Sequence, residues 1–193
     1  MKIYKLTNNE NLIDSLKAGE VGLLPTDTIY GLSCSAYDQK SVERIYEIKG
    51  KNKNVPVIVL ISGVADLQKF RIHLKQNETQ LLASNWPGRI SFILSMTGSF
   101  EYLVRGRKNL AFRVPDNREL LSLLQETGPL VSTSANPCGL KPAENLDEAE
   151  KYFGDKLDFY VDAGELVGEP STLVDLTGNR PVILRQGAVP FRN

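Results

Sequence analysis

The 193-residue sequence has one histidine, two cysteines, one tryptophan and no excess of either charge, with 23 Lys and Arg against 23 Asp and Glu. Each scarcity closes off a class of function. With His73 alone, a Ser–His–Asp triad or a histidine-based metal site lacks its parts. A lone histidine in a segment alternating apolar and charged residues reads as a surface or packing residue. Cys34 and Cys138 form no CxxC pair and have no histidine nearby in sequence, so zinc has almost no ligands to draw on. Zero net charge excludes a histone-like polycation and an acidic solvating tail, while a local basic patch stays possible. The longest apolar run, residues 55–61, is far short of a membrane span. Residues 1–6 are too broken by polar side chains for a signal peptide. The expectation is a cytoplasmic protein with no membrane partner, whose chemistry uses lysine, arginine, carboxylates, hydroxyls and backbone.

What is present is a globular pattern: 41% hydrophobic and 24% charged residues, on a chain long enough for a sizeable core. No repeat or Pro/Gly-rich linker divides it, so one domain over residues 1–193 is expected. Helical spacing covers residues 9–17, then a stretch capped by Asp38 and stopped by Gly50, with Val42, Ile45 and Tyr46 on one face. Asn77 is placed to cap a helix through Ala83. Asn117 caps another that carries Leu120, Leu121 and Leu124, and a shorter helix lies over residues 147–153. Short apolar strands are expected at 21–24, 57–61, 90–94, 110–114, 130–133, 159–161, 172–176 and 182–184. Strands closely spaced late in the chain favour a mixed sheet over a purely parallel one. The fold class is α/β: one twisted mixed sheet with flanking helices.

No GxxxxGK[ST] loop and no GxGxxG follow a strand, so a phosphate site has to be built in some other way. If extended, residues 25–31 place Thr26, Thr28 and Tyr30 on one face as a row of hydroxyls, and ordinary strand threonines are the plainer alternative. Lys49, Lys51 and Lys53 sit between a helix stop and a buried strand, where ammonium groups suit phosphate or carboxylate, or simply a helix C-terminus. Ser132, Ser134 and Asn136 fall on one face of the next hydroxyl-rich segment. Arg113 interrupts the apolar run 110–114 and needs a partner, either a structural carboxylate or an anionic ligand held bidentately. Arg105, Arg107, Lys108 and Arg118 lie near it in sequence; they either form a solvated face or converge with the lysines on an anion.

Taken in order, PTDTIYGL (25–32), the KxK loop with Pro56, NWPG (85–88), FRVP (112–115), STSAN (132–136), PSTLVD (170–175) and LRQG (184–187) resemble the YrdC/Sua5 family of threonylcarbamoyl-AMP synthases. The length is similar to that of the short members, without the extra C-terminal domain of the Sua5 type. The resemblance implies a YrdC-like fold with its site in a concave basic cleft. It also implies a nucleotidyltransferase that joins L-threonine, bicarbonate and ATP into threonylcarbamoyl-AMP and pyrophosphate. Its catalytic positions here are Lys49, Lys51, Ser134 and Asn136. L-threonine maps to Thr28, Leu60, Arg113, Ser132 and Ser171, and ATP to Lys51, Val55, Ser91, Ser134, Pro142 and Arg185. Mg²⁺ is implied through the ATP phosphates, with no side-chain ligand. The product is implied to pass to the threonylcarbamoyl transfer step at adenosine 37 of tRNA.

Lys51 stands where the family has arginine, Val55 where it has lysine, and Cys138 where serine is usual; Lys53 and Arg89 are cations placed to compensate. These changes keep a second reading open, a divergent paralogue that binds ATP and threonine, or RNA weakly, with little turnover. A hydrogenase-maturation carbamoyltransferase is disfavoured, since this chain lacks its cysteine-rich modules. A dedicated RNA binder would show more exposed aromatics among its cations than 8% aromatic content supplies.

Overall fold

The computed structural model describes residues 2–6, 9–50, 57–97 and 100–192. Among the described residues, ten strands join in one mixed sheet: β1 (Lys2–Tyr4), β2 (Gly22–Leu24), β3 (Gly31–Ser35), β4 (Ile58–Leu60), β5 (Ile90–Ser95), β6 (Asn109–Arg113), β7 (Leu130–Ser134), β8 (Phe159–Val161), β9 (Thr172–Asp175) and β10 (Val182–Arg185). Their order is β1-β8-β2-β3-β7-β4-β6-β5-β9-β10. The central strands run in mixed directions: β7 is antiparallel to both β3 and β4, and β4 runs parallel to β6. The mixed sheet expected from strand spacing is therefore present.

The helices are α1 (Glu10–Lys17), α2 (Gln39–Lys49), α3 (Gln76–Asn85), α4 (Glu101–Val104), α5 (Arg118–Thr127) and α6 (Leu146–Phe153). Local chemistry sets their ends. The side chains of Asn9, Asp38, Asn117 and Asn145 accept from backbone N–H groups of the first turns of α1, α2, α5 and α6. Gly50 closes α2 in the left-handed region, at φ 58°. For α3 the expected Asn77 cap is wrong: Lys75 is the N-cap, and Glu78 reaches back to its backbone N–H at 2.8 Å. The helix then runs on to Asn85.

Period-2 alternation sorts the sheet's faces. Leu32, Val59, Val131, Phe92 and Phe112 belong to the larger core cluster, with Val42, Ile45 and Tyr46 of α2. Leu24, Leu60 and Leu130 join a second cluster with Leu12 and Leu16 of α1 and Leu120, Leu123 and Leu124 of α5. Beyond the α1–α5 cover, sheet residues border a cavity of about 390 Å³.

Several elements are not signalled in the sequence: β1, β3, the four-residue α4 and a 3₁₀ helix, Val64–Phe70. The expected row of three hydroxyls is a bend instead of a strand. Thr26 Oγ1 donates to Ile29 O at 2.7 Å and accepts from the N–H groups of Thr28 and Ile29, which folds the chain back before β3 begins.

Candidate active site

The floor of the cavity is built from alternate residues of neighbouring strands. Ser132 and Ser134 come from β7, Ile58 and Leu60 from β4, Asn109, Ala111 and Arg113 from β6, Ile93 from β5 and Leu173 from β9. Registration brings them level: Ile58 pairs with both Ser132 and Ala111, and Leu60 pairs with Arg113. Gly31 of β3 faces Ser134, and a Cβ there would lie 2.7 Å from Ser132 Oγ. Glycine at this position keeps the serine hydroxyl accessible. Walls come from Thr26, Thr28 and Tyr30 on one side and Pro170, Ser171 and Arg185 on another. Among the described residues, no carboxylate lines the cavity, whereas Arg107, Arg113 and Arg185 do. Such a lining attracts anions.

Arg113 is the most deeply placed of these cations, with 4% of its surface exposed. Its Nη1 donates to Thr28 Oγ1 at 3.1 Å, and Nη2 lies 3.4 Å from Asp27 Oδ1. That ion pair is long, and both Asp27 Oδ1 and Arg113 Nε are buried without a hydrogen bond. Asp27 is itself fixed by its other oxygen, which accepts from the Asp116 N–H at 3.0 Å. Burial depresses the Arg113 pKa; Asp27 opposes this, while Arg185 and Arg89 add to it. The guanidinium is thus incompletely compensated and has donors to spare for an incoming carboxylate.

The hydroxyls around it are directional. Since Thr26 gives its proton to Ile29 O, its 2.9 Å contact with Thr28 has Thr28 as donor. Thr28 Oγ1 also accepts from Arg113, so toward the cavity it has only acceptor capacity, suited to an amine or hydroxyl. Ser171 is 2.9 Å from Ser91, a fully buried serine of β5. Arg185 reaches over Ser171, donating from Nε and Nη2 to its carbonyl at 3.2 and 2.8 Å.

The structure gathers Thr28, Leu60, Arg113, Ser132, Ser134, Pro142, Ser171 and Arg185 of the expected positions around one cavity. Three others stand behind it. Ser91 supports Ser171. Lys49, 4% exposed, turns its ammonium to the Ser134 carbonyl and to Asn136 O and Oδ1, at 2.8 and 3.2 Å. Asn136 accepts from Ser134 Oγ at 2.6 Å and donates to Leu140 O at 2.6 Å, so this group shapes the turn that presents Ser134. Lys51 and Val55, and with them Lys53, lie outside the described residues. Asn109 is a cavity residue that the sequence does not single out, and its signal is phase, since 109, 111 and 113 share one face of β6; Arg107, which precedes the strand, also lines the cavity, as the converging-cation alternative would have it.

Comparison with known proteins fits this geometry. The Sua5/YciO/YrdC family model, described as telomere recombination, matches residues 14–187. The chain belongs to this family. A putative threonylcarbamoyl-AMP synthase of Mycobacterium tuberculosis is 31% identical over 179 residues, covering 92% of this chain and 82% of the relative. The crystal structure of Pyrococcus abyssi Sua5 complexed with L-threonine superposes with a TM-score of 0.91 at 27% identity, covering 98% of this chain. The chain spans 58% of that protein's length. Escherichia coli YciO superposes with a TM-score of 0.85 at 26% identity, covering 96% of this chain and 94% of YciO. Among the described residues, no helix is long and apolar enough to cross a membrane.

Proposed function

We propose that this protein is a threonylcarbamoyl-AMP synthase, condensing L-threonine, bicarbonate and ATP with release of pyrophosphate. The observation that carries the reading is the incompletely compensated Arg113 guanidinium, set among hydroxyls in a cavity that is cationic and free of carboxylates among the described residues. A family relative with the same fold has been solved with L-threonine bound.

In this reading Arg113 takes the threonine carboxylate, and Ser132 and Ser171 complete its shell. Thr28, with acceptor capacity alone, receives an N–H of the amine. The arginines disfavour a second positive charge nearby and so favour the neutral, nucleophilic amine. Its nitrogen attacks the carbon of bicarbonate, the C–N bond forms and water leaves, giving a carbamate. A carbamate oxygen then attacks the α-phosphorus of ATP, and the bond to the bridging oxygen of pyrophosphate breaks. Arg185 faces the phosphates as a donor, which stabilises charge that develops in the transition state, while Ser134, whose proton goes to Asn136, offers acceptor capacity beside them. Lys49 and Asn136 act through Ser134 by holding its turn.

Among the described residues, no group of three or more acidic, histidine or cysteine side chains could hold a metal ion. We assign Mg²⁺ to the nucleotide that carries it in, a reading supported by the lack of any carboxylate in the cavity lining among the described residues. The product is an activated carbamate, whose consumer transfers the threonylcarbamoyl group to tRNA. The test is pyrophosphate release from ATP by the purified protein, with L-threonine and bicarbonate omitted in turn. Release that needs both, with the adduct mass detected, is expected. Binding of ATP and L-threonine without release would identify the divergent paralogue.

A further inference from the structure

Strand β6 runs along the cavity with Asn109, Ala111 and Arg113 on the lining face, and Arg107, just before the strand, also lines it. Arg107 and Arg113 thus bracket this lining in sequence, with Asn109 and the small Ala111 between them. Four extended residues cover about 13 Å, so Asn109 is about that far from Arg113 along β6, and Arg107 enters the lining beyond the Asn109 end of the strand. In phosphoryl transfer the attacking and leaving oxygens lie roughly in line. With the amino acid held at Arg113 and attacking along β6, pyrophosphate leaves toward Asn109 and Arg107.

Arg107 is exposed, yet the turn that carries it is firmly built. Arg105 and Gly106 both adopt positive φ, 54° and 77°, and Arg107 N–H donates to Val104 O at 3.1 Å. Arg105 Nη1 donates to Glu43 Oε1 at 2.9 Å, and its guanidinium carbon sits 4.2 Å from the centre of the Tyr46 ring. Glu43 and Tyr46 belong to α2, so this contact ties the Arg107 turn to the helix that ends at Lys49.

We propose that Arg107 binds the β- and γ-phosphates of the nucleotide, and that Arg105 is a positioning residue which holds it there. This deepens the synthase reading and rests on its placement of the amino acid. The experiment is calorimetric binding of ATP and of AMP to the full chain without L-threonine, repeated with R107A, R107K, R105M and E43Q. Arg107→Ala should weaken ATP about 10-fold, as for one charge-assisted hydrogen bond, and leave AMP within about 2-fold. Arg107→Lys should recover most of the loss. Arg105→Met and Glu43→Gln should each narrow the ATP-to-AMP ratio, a change that lowered stability alone would not cause. Unchanged ATP affinity in R107A, or an equal loss for ATP and AMP, overturns the role of Arg107; an unchanged ratio in both R105M and E43Q overturns the positioning role. If the wild type binds ATP but releases no pyrophosphate, the synthase reading fails while the phosphate contact stands. If it binds no ATP, both fail.

Discussion

Arg105 and Arg113 flank the same strand, and each is largely buried beside one carboxylate, yet the two pairs are built differently. Arg105 meets Glu43 in a 2.9 Å hydrogen bond and covers the Tyr46 ring; burial works against its charge, but these two partners outweigh it and raise its pKa. Arg113 stands 3.4 Å from Asp27 without a hydrogen bond, and burial lowers its pKa. A pair closed by a hydrogen bond, as at Glu43, serves the fold, even though Arg105 Nε and Nη2 are themselves buried without hydrogen-bond partners. One left open keeps charge in reserve for a ligand, and only the open one lies in the cavity. Geometry at the carboxylate therefore separates structural from functional arginine better than burial does.

The largest effect that tests this contrast is expected at Arg113. Arg113→Lys keeps the charge but loses the planar fork, and L-threonine affinity should fall about 100-fold by calorimetry. If the lysine variant binds within a few-fold of wild type, the bidentate assignment is wrong. Asp27→Asn comes next. It keeps an acceptor for the Asp116 N–H but leaves Arg113 buried without its counter-ion, at a cost of about 3 kcal/mol in stability. The bound threonine carboxylate then becomes the main counter-ion, so the melting-temperature rise on adding L-threonine should exceed that of wild type. A smaller rise would show that Asp27 chiefly orients Arg113. Glu43→Gln should cost about 1–2 kcal/mol in denaturant unfolding, because Arg105 loses an ionic partner, and should leave L-threonine affinity unchanged.

Much of this contrast was legible in the sequence, and the limits have physical causes. Arg113 stood out because a cation within an apolar strand needs an anion, and STSAN stood out as small hydroxyls after a buried strand. The role of Asp27 was not legible. Its link to Arg113 depends on a bend made by the Thr26 hydroxyl, whereas the sequence reads as an extended row. Lys49 reads as a phosphate cation because it lies between a helix stop and a buried strand, where ligands bind, with a plain helix C-terminus as the alternative. Burial instead directs its ammonium to the Ser134 and Asn136 carbonyls, contacts distant in sequence that no local pattern encodes. Strand β3 was hidden for a related reason. Its residues 31–35 alternate but hold no β-branched or aromatic side chain, and pairing with β2 and β7 on either side makes it a strand.

A third pair sharpens the comparison from the outside. Arg44 and Asp158 are joined far from the cavity lining, with side chains 38% and 29% exposed. Asp158 accepts from both Arg44 and the Val21 N–H, at 2.8 Å for the latter. Burial raises its pKa, but these hydrogen bonds prevail and hold it below the ordinary aspartate value. A carboxylate with a lowered folded-state pKa contributes stability above its unfolded value, and that contribution is lost as pH falls through the folded value. Asp158→Asn should therefore cost no more than about 1 kcal/mol near neutral pH, given the solvent screening of a part-exposed pair. The gap from wild type should shrink as pH falls below about 4, the ordinary aspartate range. Denaturant midpoints of both proteins between pH 7 and pH 3 measure this. A gap that stays constant with pH would mean that the Val21 hydrogen bond, which asparagine can keep or lose irrespective of charge, carries the stability and that Arg44 contributes none.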